Sequence, residues 1–200
     1  MEDILIQTEK SFLRKKNINE MEEITNINQE LLDLCVEDIK DKLEIKPPIV
    51  IYDRIVNQKR DVGFFSDKSI GYYYSNQLAK SKPLTTNLEI LMNSVNEMFG
   101  SNFNGILINR YENGSDYISP HSDDEKNLDN FGVVSISYGG ERIFRIRNKK
   151  TKEIEMNIPL NNMDIIHMGG FFQKEFTHEI PLTKKHVDVR YSFTFRNHKI

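Results

Sequence analysis

Few side chains in this chain can bind a metal, and their spacing narrows the choice further. It has 5 His and one Cys. His121-Ser122-Asp123 sets an imidazole and a carboxylate two residues apart. On an extended segment that spacing puts both on one side, where they can share one ion. A lone His-x-Asp is weak. With 5 His and 30 Asp/Glu in 200 residues, roughly one His-x-acid pair arises by chance. The chain carries a second pair, His186-Val187-Asp188, and position separates the two. Two His and one carboxylate on one side of iron(II) leave the opposite positions open for a co-substrate and dioxygen. The second His must then come from another strand. After His121 and Asp123 come several strand-like runs with His167 and His178, whereas after His186 and Asp188 only His198 remains.

His178 is preferred to His167 as the distal ligand because an arginine-rich segment lies about a dozen residues downstream of it. Arg190-Tyr191-Ser192-Phe193-Thr194-Phe195-Arg196 has a polar group at every second position. On a strand, Arg190, Ser192, Thr194 and Arg196 share one face, with Tyr191, Phe193 and Phe195 on the other. The plain alternative is an amphipathic edge strand with a solvated arginine face. Two arginines and two hydroxyls turned to a metal site suit a dicarboxylate, because guanidinium pairs with carboxylate in a bidentate fork.

The elements that must carry these residues divide the chain. Apolar residues recur at Leu31, Cys35, Ile39 and Leu43, predicting a helix over Ile27 to Leu43 that Lys46-Pro47-Pro48 ends. Thr86-Asn87-Leu88-Glu89 has the form of a capping box with Thr86 as the cap. It opens a second helix whose buried stripe is Leu88, Leu91, Met92 and Val95 and which Gly100 stops. Beyond Gly100 no helical period is sustained. Strands are predicted at Gly105–Tyr111, Val133–Tyr138, Arg142–Arg147, Ile154–Ile158, Asp164–Met168, Phe176–Ile180 and Arg190–Arg196, separated by turn signals such as Asn113-Gly114 and Gly139-Gly140. The C-terminal half reads as all-β, a sandwich or jelly roll. The resulting division is an N-terminal helical extension (1–50), a segment with a supporting helix (51–99) and a β core (100–200).

Composition bounds the setting. Two hundred residues suit one domain. Hydrophobic content of 38% with 12 Phe and 8 Tyr supports one core, while 28% charged residues and a mean hydropathy of -0.55 argue for a soluble surface. No membrane span or secretory signal is visible. The single Cys35 cannot form an internal disulfide, which points to a reducing intracellular compartment, nuclear or cytoplasmic, and excludes thiolate clusters. The net charge of -3 conceals asymmetry: residues 140–200 hold 12 Lys/Arg against 7 Asp/Glu, and residues 61–139 hold 5 against 10. A phosphate-binding face is permitted by that pattern without being demonstrated.

These residues resemble the AlkB family, especially its eukaryotic-type branch that repairs alkylated DNA. The resemblance runs from about Arg60 to Arg196 through blocks in a fixed order: Asn109-Arg110-Tyr111, His121-Ser122-Asp123-Asp124-Glu125, Val134 to Gly139, Phe176-Thr177-His178 and Arg190 to Arg196. It implies a mainly β fold with flanking helices, a double-stranded β-helix of jelly-roll form. It also implies Fe(II) on His121, Asp123 and His178, these three being the catalytic centre, and 2-oxoglutarate as co-substrate. Arg190 would pair the 5-carboxylate, with Asn109, Tyr111, Ser192, Thr194 and Arg196 completing the pocket. Tyr72-Tyr73-Tyr74-Ser75 is similar to the family's base-binding lid, where Tyr72 and Tyr74 would meet an extruded base, with Arg60 nearby. Three departures stand out: Ser192 replaces Asn in the arginine signature, Phe176 stands where relatives carry Trp, and Pro120 precedes His121.

The implied activity is oxidative demethylation of nucleic-acid bases, with 2-oxoglutarate converted to succinate and carbon dioxide and the methyl group released as formaldehyde. Asp124 and Glu125 suit cationic 1-methyladenine and 3-methylcytosine, because a nearby carboxylate favours a cation. The expected partner is methylated DNA or RNA, bound by a monomer with no membrane involved. Two other classes stay open: an oxygenase of the same chemistry acting on a protein or small molecule, and a non-catalytic nucleic-acid binding module on the same fold.

Overall fold

The computed structural model describes residues 3–21, 25–51, 53–74, 77–124 and 131–198, except for the side chains at 73, 74 and 77. The chain opens with two strands, β1 (Asp3–Gln7) and β2 (Ser11–Asn17), and then α1 (Gln29–Ile39). Two hairpins flank a longer strand: β3 (Pro48–Ile51) and β4 (Arg54–Asn57), then β5 (Asp61–Phe65), then β6 (Gly71–Tyr74) and β7 (Gln77–Lys80). After α2 (Thr86–Phe99) come β8 (Gly105–Tyr111), β9 (Ile118–His121), β10 (Val133–Gly139), β11 (Arg142–Asn148), β12 (Ile154–Leu160) and β13 (Asp164–Gly170). A single helical turn, α3 (Phe172–Glu175), leads to β14 (Phe176–Ile180) and β15 (Arg190–Arg196).

Two sheets form the jelly roll. The larger has the order β1-β2-β13-β10-β15-β8-β5, and the smaller has β12-β11-β14-β9. Alternation along the larger sheet separates two cores. Ile106, Ile108, Val134, Ile136, Ile165, Phe193 and Phe195 pack on the helices α1 and α2 with Leu32, Cys35, Leu88 and Leu91. The facing side meets the smaller sheet, and there Ile118, Phe144, Ile146, Ile158, Leu160, Ile166 and Met168 fill the space between sheets. Strand β15 lies between β10 and β8, paired to both along its length. It is therefore an interior strand, and the alternative of a solvated edge does not hold.

Several expectations need correction. Helical structure over residues 1–50 is confined mainly to α1, because β1 and β2 form a hairpin whose second strand pairs with β13 from Asp164 to Gly170. Helix α1 ends at Ile39, earlier than predicted. The Lys42 N–H bonds the Ile39 carbonyl at 2.8 Å, a tightened last turn, and Leu43 stays buried from outside the helix. The cap of α2 is Thr85, whose Oγ1 accepts from the Leu88 N–H at 3.2 Å. That moves Glu89 to the fourth helical position, out of reach of a capping box. Its stripe is buried as expected, and Gly100 closes it at φ +59°, a left-handed conformation that costs glycine little. The C-terminal half includes α3, so it is not purely β.

Candidate active site

The first two ligand candidates come from the end of β9. Strand β9 pairs with β14 so that His121 lies directly opposite His178, with ring centroids 4.3 Å apart. Asp123 follows two residues later and is buried. One ligand atom each from His121, Asp123 and His178 lies within 4.8 Å of the others. His121 Nδ1 donates to the Ser119 carbonyl at 2.9 Å, which presents Nε2 as the ligand atom.

Electrostatics hold these groups in their ligating forms. Burial pushes the His121 imidazole down to about 3, with His178 adding to the shift and Asp123 opposing it. His121 is half-buried, yet the protein atoms around it make desolvation the larger effect. His178 is lowered too, first by burial, with Asp123 opposing. Burial alone would raise the Asp123 carboxyl. Arg196, with Nη2 at 3.1 Å from Oδ1, and the two imidazoles outweigh it and hold that carboxyl well below the usual carboxylate range. His178 Nε2 lies 3.5 Å from Asp123 Oδ2. With the imidazole neutral this contact is not an ion pair, and the two atoms are close enough to bind one metal together.

Behind the triad lies a narrow cleft, part of it open to solvent. Its wall includes Arg60, Tyr72, Asn109, Tyr111, Ser135, Arg190, Ser192, Thr194 and Arg196 beside the triad. Arg190 is 2% exposed, and its Nη2 donates to Ser137 Oγ at 2.8 Å. Its Nε and Nη1 are buried without a hydrogen-bond partner among the described residues. Burial pushes that guanidinium down to about 10, while Tyr111, whose ring lies 5.4 Å away, supports its charge and Arg142 opposes it. Ser135, Ser192 and Thr194 bring three hydroxyls together, at 2.9 Å from Ser135 to Ser192 and 3.2 Å from Ser135 to Thr194.

Comparison with known proteins decides the class. Residues 21–196 match the 2OG-Fe(II) oxygenase superfamily. The chain belongs to that superfamily. Within it, this oxygenase is of the AlkB type, eukaryotic-type branch. It is 30% identical to the human DNA oxidative demethylase ALKBH2 over 140 residues, 66% of this chain and 54% of that protein. It is 28% identical to the Arabidopsis thaliana ALKBH2 over 184 residues, 76% and 57% of the two chains. The alpha-ketoglutarate-dependent dioxygenase alkB homolog 3 of Bos taurus is 33% identical over 118 residues, 54% and 41%. The chain thus spans little more than half of ALKBH2. The solved structure of OsALKBH1 superposes with a TM-score of 0.61 over 98% of this chain and all of that one, at 14% identity, a likeness of fold.

The superfamily uses iron(II) and 2-oxoglutarate, and the oxygenase's residues fit both. Two neutral imidazoles and an ionised carboxylate from two strands suit iron(II). Two unpartnered donors on a buried guanidinium suit a carboxylate, which would satisfy them together.

The other expected residues are distributed unevenly. His167 lies on the helix side of β13, its Nε2 on the Phe131 carbonyl at 3.0 Å and its ring among Phe12, Phe99 and Phe131. His186 and Asp188 are both exposed. Arg60 Nε donates to Asn109 Oδ1 at 2.7 Å, so Arg60 braces the cleft wall. Tyr72 is buried in that wall with the Arg196 guanidinium 4.6 Å over its ring. Asp124 is not in the wall. It is exposed and pairs with Lys149 at 2.9 Å. The Tyr74 side chain and all of Glu125 lie outside the described residues. Ser192 takes part in the hydroxyl cluster rather than leaving a gap, and Ser122 Oγ donates to the carbonyl of Phe176 at 2.9 Å. Sequence reasoning missed Ser135, Ser137 and Gln173. The serines had a signal, since Val134-Ser135-Ile136-Ser137 alternates within an otherwise apolar strand.

Proposed function

We propose that this oxygenase oxidatively removes methyl groups from alkylated nucleic-acid bases, with 1-methyladenine and 3-methylcytosine as its substrates. The observation that carries the reading is the cleft itself. The His121-Asp123-His178 triad and the unpartnered donors of Arg190 open into one space that Tyr72, on the β6–β7 hairpin, helps to wall. The names of the ALKBH2 relatives support a nucleic-acid substrate.

When bound, iron(II) and 2-oxoglutarate supply the oxidising power, consuming dioxygen and releasing succinate, carbon dioxide and formaldehyde. The chain's own residues position and enclose. His121, Asp123 and His178 hold the metal, and Arg196 keeps Asp123 ionised. Arg190 holds the distal carboxylate of the co-substrate, with Tyr111 and Asn109 beside it and Ser192 and Thr194 along the same wall. Leu107, Phe144, Ile166 and Met168 exclude water from the reacting centre. A base in a duplex must leave the stack to reach this cleft, and in this reading Tyr72 and Tyr74 receive it. Lys149 engages Asp124, so selection for a cationic base falls to Glu125. The reading takes the chain as a monomer in an intracellular compartment, nuclear or cytoplasmic, acting on methylated DNA or RNA.

The test is formaldehyde release from DNA and RNA oligonucleotides carrying 1-methyladenine, 3-methylcytosine or neutral 6-methyladenine. The cationic bases are expected to be processed faster. Equal rates on the neutral base contradict the charge selection, and no release from any of them contradicts the substrate class.

A further inference from the structure

The backbone of the metal loop is held by a residue outside the ligand set. The Asp123 N–H donates to Gln173 Oε1 at 2.9 Å, a buried contact, and Ser122 Oγ donates to the Phe176 carbonyl at 2.9 Å. The segment carrying two ligands is thereby tied to α3 and to the start of β14, the strand that carries the third. Gln173 is 8% exposed, and its Nε2 lies 3.7 Å from Met168 Sδ. Only Oε1 can accept from the Asp123 amide, so the orientation of the side-chain amide is set.

One turn of helix does not hold itself together, and α3 has only four residues. The β1–β2 hairpin grips it. Glu175 Oε2 accepts from both Thr8 Oγ1, at 2.9 Å, and Ser11 Oγ. The Phe171 N–H donates to the Lys10 carbonyl at 2.9 Å. Phe12 lies against Gly169, where a Cβ would come within 2.0 Å of its ring, so any other residue there would displace that ring. This hairpin precedes residue 21, where the superfamily match begins.

We propose that Gln173 is a positioning residue for the metal centre, and that the N-terminal hairpin holds it in place through α3. The inference rests on the triad being the metal site. Loss of the acceptor leaves a buried N–H unpaired beside a ligand, and the loop relaxes to hydrate it. Supporting groups behind metal ligands typically contribute about 10- to 100-fold to metal affinity.

Titration of the metal-free 200-residue chain with Co(II), followed by its visible ligand-field spectrum, tests this. Q173M removes the acceptor at similar volume, whereas Q173E keeps an oxygen for the amide. Q173M is expected to weaken Co(II) binding by about 10- to 100-fold and to change the spectrum. Q173E is expected to stay close to wild type, and the T8V/S11A double variant to fall between them. Wild-type affinity and spectrum in Q173M overturn the proposal, and equal losses in Q173M and Q173E overturn the acceptor role. A wild-type chain that binds no Co(II) overturns the metal reading itself, a distinguishable result. Should Q173M not fold, hydrogen exchange at the Asp123 amide of the metal-free wild type decides: protection supports the proposal, and exchange at the rate of an open loop overturns it.

Discussion

Arg190 is enclosed by protein yet keeps two guanidinium donors without a partner among the described residues, an arrangement that costs stability unless a ligand completes it. Truncating one member of a buried, hydrogen-bonded charge pair costs about 2 to 5 kcal/mol. Arg190→Met is therefore expected to raise KM for 2-oxoglutarate by at least about 30-fold, the low end of that range, with Co(II) affinity unchanged. An unaltered KM would show that another group reads the co-substrate. At the same scale His178→Ala should abolish metal binding, while His167→Ala should retain it, because His167 is wedged among Phe12, Phe99 and Phe131 on the far side of the sheet. The triad was legible because a two-residue spacing and a downstream arginine-rich strand are local patterns. Gln173 was not, since nothing around it in sequence indicates that its side chain meets a backbone 50 residues away.

Among the elements, the C-terminal strands were readable because short apolar runs lie between strong turn signals; Phe176–Ile180 and Arg190–Arg196 match the observed β14 and β15. The N-terminal hairpin was hidden by its charge. Strand β2 reads Ser-Phe-Leu-Arg-Lys-Lys-Asn, and only its pairing with β13 buries Leu13 while the long cationic side chains stay half-exposed. Sheet pairing across more than 100 residues leaves no local mark. The start of α2 was misread by one residue, a shift that matters for stability. Thr85→Ala is expected to destabilise the fold by about 1 kcal/mol, as loss of an N-cap does, whereas Thr86→Ala should change little. Denaturant melts of the two variants check this, and the opposite order would restore Thr86 as the cap.

For the molecule as a whole, the site sets a pH dependence of stability. His121 and His178 both titrate lower in the folded chain than their ordinary value near 6.5. Below about pH 6.5 the unfolded chain takes up protons at these residues that the folded chain refuses, so the metal-free protein loses stability as pH falls from there toward about 3, where His121 titrates in the folded chain. His121→Gln should flatten this slope in melts between those values, and an unchanged slope would mean that burial does not hold the ring neutral. The jelly roll brings the end of β9, the middle of β14 and one face of β15 to a single cleft. That convergence makes the coupling of two reactions the central claim. Succinate and formaldehyde measured together on a 1-methyladenine oligonucleotide test it most directly. Equal amounts of the two products are expected, both requiring iron(II) and both lost in Asp123→Ala. Formaldehyde that persists in Asp123→Ala, or succinate formed with no formaldehyde at all, would contradict the account.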